Sequence, residues 1–154
     1  LITVNAVESC VGKETKSRVF TLNGVFHDPC DLGRGSGIYE QPRRLIARSY
    51  SLIEAGNEKK DSLCCGGSLG ITALSCESRT TLTEATISSL SLNHPEIIAT
   101  ACPLCKKTFA SQAAVRVADI AELLLEAVNY KPDEQNATSL AKHIPSESLV
   151  VEEV

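Results

Sequence analysis

Five of the seven cysteines stand in three short stretches, and those stretches constrain the fold more than any other feature of the chain. The pattern runs C-x33-CC-x36-C-x2-C, from Cys30 through Cys64 and Cys65 to Cys102 and Cys105. Each stretch lies just past a strand-like run or in a glycine turn. In an open parallel sheet the carboxyl ends of the strands share one edge. Loops far apart in sequence meet there, where such folds place their ligands. A fold of that kind brings all five thiols into one small volume.

The rest of the sequence reads as that fold. Gly24-Val25-Phe26-His27-Asp28 is a short apolar strand stopped by Pro29, which cannot continue a ladder. Gly33, Gly35 and Gly37 predict a turn, and Gln41 to Arg48 fits a helix with Pro42 in its first turn. Ser49 to Ala55 alternates as a second strand, with helix also open to it. A polar loop from Gly56 to Ser62 delivers the chain to Leu63-Cys64-Cys65-Gly66-Gly67. Thr80 to Leu92 carries helical spacing at Leu82, Ala85, Ile87 and Leu90, ended by His94-Pro95. Glu96 to Thr100 is a continuous apolar strand of the kind buried in parallel sheets, and it runs straight into Ala101-Cys102-Pro103-Leu104-Cys105 and a helix. Val115 to Val117 is a fourth strand, followed by a helix from Asp119 to Val128 with Asp119 as N-cap.

This alternation predicts an α/β fold, a small parallel sheet of about four strands flanked by helices with right-handed crossovers, a Rossmann-like half-domain. With 154 residues and 43% apolar content the chain suffices for one domain. Residues 21–130 form that cysteine-rich domain, with an N-terminal extension over 1–20 and a C-terminal one over 131–154. No internal repeat stands out. The absence of Met and the Leu at position 1 suggest a piece of a longer gene product.

Fifteen basic against 19 acidic residues, a formal charge of −4, leave no cationic stripe for phosphates, so nucleic acid is not an expected partner. No apolar run approaches the roughly 20 residues of a membrane span and no secretion signal is visible, so the expected location is cytoplasmic. An odd cysteine count argues against a fully paired disulfide framework.

A C-x-x-C pair opening a helix places two sulfurs near one metal, where N–H groups and the macrodipole favour thiolates and an anionic cluster. Cys102 and Cys105 fit that description. Adjacent residues in a strand point to opposite faces, so Cys64 and Cys65 serve one centre only through an irregular turn. Gly66 and Gly67 supply that backbone freedom and can bring N–H groups close to sulfur. His27 and Asp28 are candidates to orient the Cys30 loop or assist a proton transfer, set against a plain turn-forming Asp before Pro29. Arg34 either offsets negative charge, meets an anionic substrate or is a solvated turn residue. Cys10 and Cys76 have no partner at ligand spacing and read as small apolar residues.

At these residues the sequence resembles the cysteine-rich CCG domain family, found in a subunit of heterodisulfide reductase, in the iron-sulfur subunits of glycolate oxidase and anaerobic glycerol-3-phosphate dehydrogenase, and in lactate-utilisation proteins. The resemblance runs from about Phe26 to Val128 and is carried by His27-Asp28-Pro29-Cys30-Asp31-Leu32-Gly33-Arg34, Cys64-Cys65-Gly66-Gly67 and Ala99-Thr100-Ala101-Cys102-Pro103-Leu104-Cys105. It implies an iron-sulfur cluster, of the [4Fe-4S] type, on Cys30, Cys64, Cys65, Cys102 and Cys105. It also implies electron transfer or thiol-disulfide chemistry in a larger oxidoreductase. Flavin-containing or other iron-sulfur redox subunits would be the partners, with peripheral membrane association through one of them. The family commonly carries two such motifs, so a single copy resembles the C-terminal half. Two alternatives stay open: a structural zinc module closed by four of the five thiolates, and a metal-free dithiol switch at Cys102 and Cys105. The adjacent Cys64-Cys65 pair speaks against the switch.

Overall fold

The computed structural model describes residues 20–67 and 73–129. The expectations for Cys10, for the N-terminal extension short of Phe20 and for the tail from Lys131 lie outside them. Four parallel strands form one sheet in the order β2-β1-β3-β4, with β1 at Phe20–His27, β2 at Tyr50–Leu52, β3 at Ile97–Thr100 and β4 at Arg116–Asp119. Helices connect and flank them: α1 at Glu40–Ile46, α2 at Cys76–Leu90, α3 at Pro103–Ala110 and α4 at Ile120–Asn129. This is the α/β architecture expected from the sequence.

Every residue of β3 is buried, because the strand lies inside the sheet with helices on both faces. Phe26, Ile97, Ala99 and Ala118 face Ile46 of α1 and Leu123 of α4. Val25 and Ile98 face the other way, toward Leu90 of α2, Phe109 of α3 and the thiols of Cys65 and Cys105. The period-two alternation of the strands thus sorts two cores, and the cysteines belong to only one of them.

Several boundaries differ from the sequence reading. The second strand is confined to Tyr50–Leu52. One further ladder bond runs from Ile53 N to Gly24 O, after which Ala55 N turns to the Glu58 carboxylate and Gly56 N to Ser89 O. Helix α2 begins at Cys76, before the apolar spacing starts, because Ser75 caps it by accepting a bond from Ser78 N at 3.1 Å. Cys76 is therefore exposed at a helix start, and the reading of it as a buried apolar thiol is corrected. Asp119 closes β4 and caps α4, its carboxylate accepting from Ala121 N at 2.9 Å.

The strand order fixes where a ligand can sit. From β1 the chain crosses to β2 on one side, and from β3 to β4 on the other, so the loops leaving β1 and β3 part above the sheet. That divergence opens a crevice at the carboxyl ends of the two central strands. Among the described residues no helix is long and apolar enough to cross a membrane.

Removing packed volume from β3 tests the buried sheet. Ile98→Ala is expected to lower the unfolding free energy by roughly 2–5 kcal/mol in urea titration, with Leu125→Ala on exposed α4 near neutral.

Candidate metal centre

Three segments reach the crevice, and one carboxylate ties two of them together. After β1, Asp28 is buried at 3% exposure. The guanidinium of Arg43 in α1 donates to both of its oxygens, at 2.6 and 2.8 Å, and Lys59 N donates to the second at 2.7 Å. Lys59 takes a left-handed φ of 56°, a conformation worth about 1–3 kcal/mol of strain in a residue with a side chain, and the bond to Asp28 holds it there. Ser62 Oγ donates to Asp28 O, and Arg34 reaches back from the first loop to donate to Ser62 O. The Cys30 loop and the segment leading to Cys64 are thereby clamped to each other. Arg34, left open as charge partner or solvated turn, has a defined use in this clamp.

Cys30 starts a wide helical turn over Asp31–Gly35, with Gly35 N donating to Cys30 O at 2.9 Å. Cys64 and Cys65 follow in irregular backbone. Two threonines one turn apart on the buried side of α2 hold them: Thr86 Oγ1 donates to Cys64 O at 2.7 Å and Thr83 Oγ1 to Cys65 O at 3.0 Å. The sequence reading missed both, because it weighed only the apolar positions of α2. The signal was there as two threonines spaced three apart.

The glycines after the pair are required by contact. Gly66 has φ +82°, and a Cβ there would stand 2.3 Å from Thr83 Oγ1; at Gly67 it would stand 2.2 Å from Thr108 Oγ1. At 66 the backbone carbonyl of Arg79 also stands 2.9 Å away, whereas at 67 the Thr108 side chain is what would have to move. Gly67 N donates to Cys65 Sγ at 3.4 Å, so one backbone N–H does meet sulfur.

The third segment leaves β3 at Thr100. Cys102 is the extended N-cap residue of α3, Pro103 follows at its first position, and Cys105 lies buried within the first turn. The thiols meet across the segments: Cys65 interacts with Cys105 and Cys64, Cys105 also with Cys102, and Cys30 feels the charge of Cys64 and Cys65. Cys65 and Cys105 share a proton, which pulls the Cys65 thiol below its ordinary range and pushes Cys105 well above it. Burial, then the nearby Asp31 and Cys64, push Cys30 up as well. Cys65 is thus the thiol that gives up its proton most readily, while Cys105 and Cys30 hold theirs until a cation replaces them.

Among the described residues no three His, Cys, Asp or Glu side chains are gathered closely enough to ligate one metal ion. A multi-iron cluster takes its thiolates on separate irons and needs no such convergence on a single point. The donor set of five thiols, two of them buried and three half-buried, fits such a group.

His27 ends β1 beside this site at 1% exposure, its ring edge-on to Phe109 with centroids 4.7 Å apart. Burial holds its pKa down at about 4, opposed by Asp28 and assisted by Arg34.

Residues 25–110 match the CCG cysteine-rich domain family. The chain is also similar to a subunit of the dihydromethanophenazine:CoB--CoM heterodisulfide reductase of Methanosarcina barkeri, 29% identical over 111 residues, 68% of this chain and 27% of the relative. It is 30% identical over 132 residues to the EtfAB:quinone oxidoreductase of Syntrophomonas wolfei, covering 76% of this chain and 18% of the relative. A Bacillus subtilis protein named "Probable iron-sulfur-binding oxidoreductase FadF" is 27% identical over 113 residues, 68% of this chain and 16% of its own. The matched region therefore spans about a quarter or less of these relatives.

Two outcomes are expected of this geometry. Asp28→Ala takes both close hydrogen bonds from the half-buried Arg43 guanidinium, leaving it Tyr39 O and the Glu58 carboxylate at 3.6 Å, and removes the acceptor of Lys59 N, so it should lower stability by roughly 1–3 kcal/mol in urea titration. His27, with its folded pKa below the ordinary 6.5, favours the folded state fully above pH 6.5, and that contribution is lost as pH falls toward 4. Unfolding titrations at pH 7 and pH 4.5 should show wild type losing roughly 2–3 kcal/mol more than His27→Phe.

Proposed function

We propose, since the chain belongs to the CCG cysteine-rich domain family, that Cys30, Cys64, Cys65, Cys102 and Cys105 bind an iron-sulfur cluster and that the domain relays electrons inside a larger oxidoreductase. The observation that carries this reading is that Cys65 and Cys105, from separate segments, pack in one buried cluster with Cys102 against it on the face where β1 and β3 diverge, with Cys30 feeling the charge of Cys64 and Cys65. Thiolate donors favour iron-sulfur clusters or zinc over oxygen-seeking metals, and the iron-sulfur-binding oxidoreductase among the relatives supports the cluster. The finer assignment is a [4Fe-4S] cluster. When bound, the cluster supplies one-electron transfer through thiolate-ligated iron.

The protein's own groups prepare for it. Thr83 and Thr86 fix the two successive carbonyls of the Cys64-Cys65 pair and so hold both residues in one irregular turn. Gly67 N–H offers a hydrogen bond to Cys65 sulfur. Asp28 and Arg43 keep the Cys30 loop against the Cys64 approach. Cys30, Cys64 and Cys102 are half-buried, so the outer edge of the centre is open to a partner or a small thiol or disulfide substrate.

The names of the relatives support work in an assembly, with heterodisulfide reductase and fumarate reductase subunits among them. We assign cluster binding to the 21–130 domain and read the segments on either side as extensions of it. Flavin-containing or other iron-sulfur subunits are the partners this reading names, with any membrane association made peripherally through them and the domain itself cytoplasmic.

Anaerobic purification, with iron, zinc and acid-labile sulfide analysis and a visible spectrum, tests the proposal. Wild type and Cys76→Ala should be brown with iron and sulfide, and Cys65→Ala should lose the broad visible band. Stoichiometric zinc without iron or sulfide would replace the redox reading with a structural zinc module.

A further inference from the structure

Two polar side chains lie on the floor of the crevice, both buried and neither satisfied. His27 is the last residue of β1, Thr100 the last of β3, and the two are paired in register. They are 1% and 0% exposed, and neither His27 Nδ1 nor Thr100 Oγ1 has a hydrogen-bond partner. By strand alternation they share the face of Val25 and Ile98, which is the face that packs Cys65, Cys105 and Phe109.

A buried polar atom without a hydrogen-bond partner is destabilising, and here two stand side by side. The fold has an inexpensive alternative at position 100. Valine has nearly the volume of threonine, suits a buried parallel strand and would extend the apolar run Ile97-Ile98-Ala99 without an orphaned hydroxyl. The hydroxyl contributes nothing to the sheet itself. The two groups sit where strands diverge, at the position where folds of this class bind ligands. Sulfur of a thiolate-ligated cluster accepts hydrogen bonds, and donors to it favour the more negative, reduced state. His27, held neutral by burial, carries one N–H, and Thr100 carries one O–H.

We infer that His27 and Thr100 are positioning residues that donate hydrogen bonds from the crevice floor to cluster sulfur and thereby raise its reduction potential. The inference rests on the cluster reading above, and it assigns a role to Thr100 as the register partner of His27.

The test uses the full chain purified anaerobically as wild type, Thr100→Val, Thr100→Ser and His27→Phe. Iron and sulfide content is measured first, then the midpoint potential by redox titration followed by electron paramagnetic resonance. With cluster content unchanged, Thr100→Val and His27→Phe should each shift the midpoint downward and alter the resonance spectrum, while Thr100→Ser stays close to wild type. A folded Thr100→Val that loses iron and sulfide where Thr100→Ser keeps them supports the same donation. Full cluster content with an unmoved midpoint and spectrum in both Thr100→Val and His27→Phe overturns the inference and leaves the cluster reading standing. Equal loss of the cluster in Thr100→Val and Thr100→Ser overturns it too. Wild type without iron and sulfide removes the cluster reading, and this inference with it.

Discussion

The carboxylate of Asp28 is the interaction on which the site depends. It is buried, yet it accepts two bonds from Arg43 and one from Lys59 N, so its desolvation is offset on both oxygens. Through those bonds one residue at the end of β1 fixes helix α1, the backbone at Lys59 and the approach to Cys64. Arg43 also lies over the Phe26 ring, 5.2 Å from its centroid, which joins the clamp to the core of the sheet. Cys30 and Cys64 are 34 positions apart in the chain and are kept neighbours by this one ion pair and its satellites.

The remaining thiols are placed by different means. Helix α2 contributes two threonine hydroxyls beside the apolar packing of Leu90, and the Cys64-Cys65 turn is pressed onto α2 so closely that a side chain at 66 would meet the Arg79 carbonyl. Cys102 and Cys105 need only the strand-to-helix transition that Pro103 begins. The scaffold thus holds Cys65 and Cys105 buried beneath and leaves Cys30, Cys64 and Cys102 half-buried toward the open side.

The parts of this arrangement legible in sequence are those encoded locally. The run Ile97 to Thr100 reads as a buried strand because every position is apolar or small, and the cysteines read as lying just past a strand, as at Cys30 and Cys102, or in a glycine turn, as at Cys64-Cys65. The strand at Tyr50–Leu52 is shorter than its composition suggests because Glu58 and Ser89 capture the chain beyond it. Thr83 and Thr86 escape a search for apolar periodicity, since a buried threonine is visible only through the carbonyl it serves. The role of Asp28 depends on partners 15 and 31 residues away, and the pairing of His27 with Thr100 depends on strand register. Long-range geometry of that kind leaves no local pattern.

The proposal stands or falls on five thiols from three segments serving one iron-sulfur centre. An anomalous-scattering map at the iron edge, from crystals grown without oxygen, tests it most directly. Several iron peaks are expected in the crevice, bonded to Cys30, Cys64, Cys65, Cys102 and Cys105. A single zinc peak held by four of these sulfurs, or a disulfide between Cys102 and Cys105 with no metal, would contradict it.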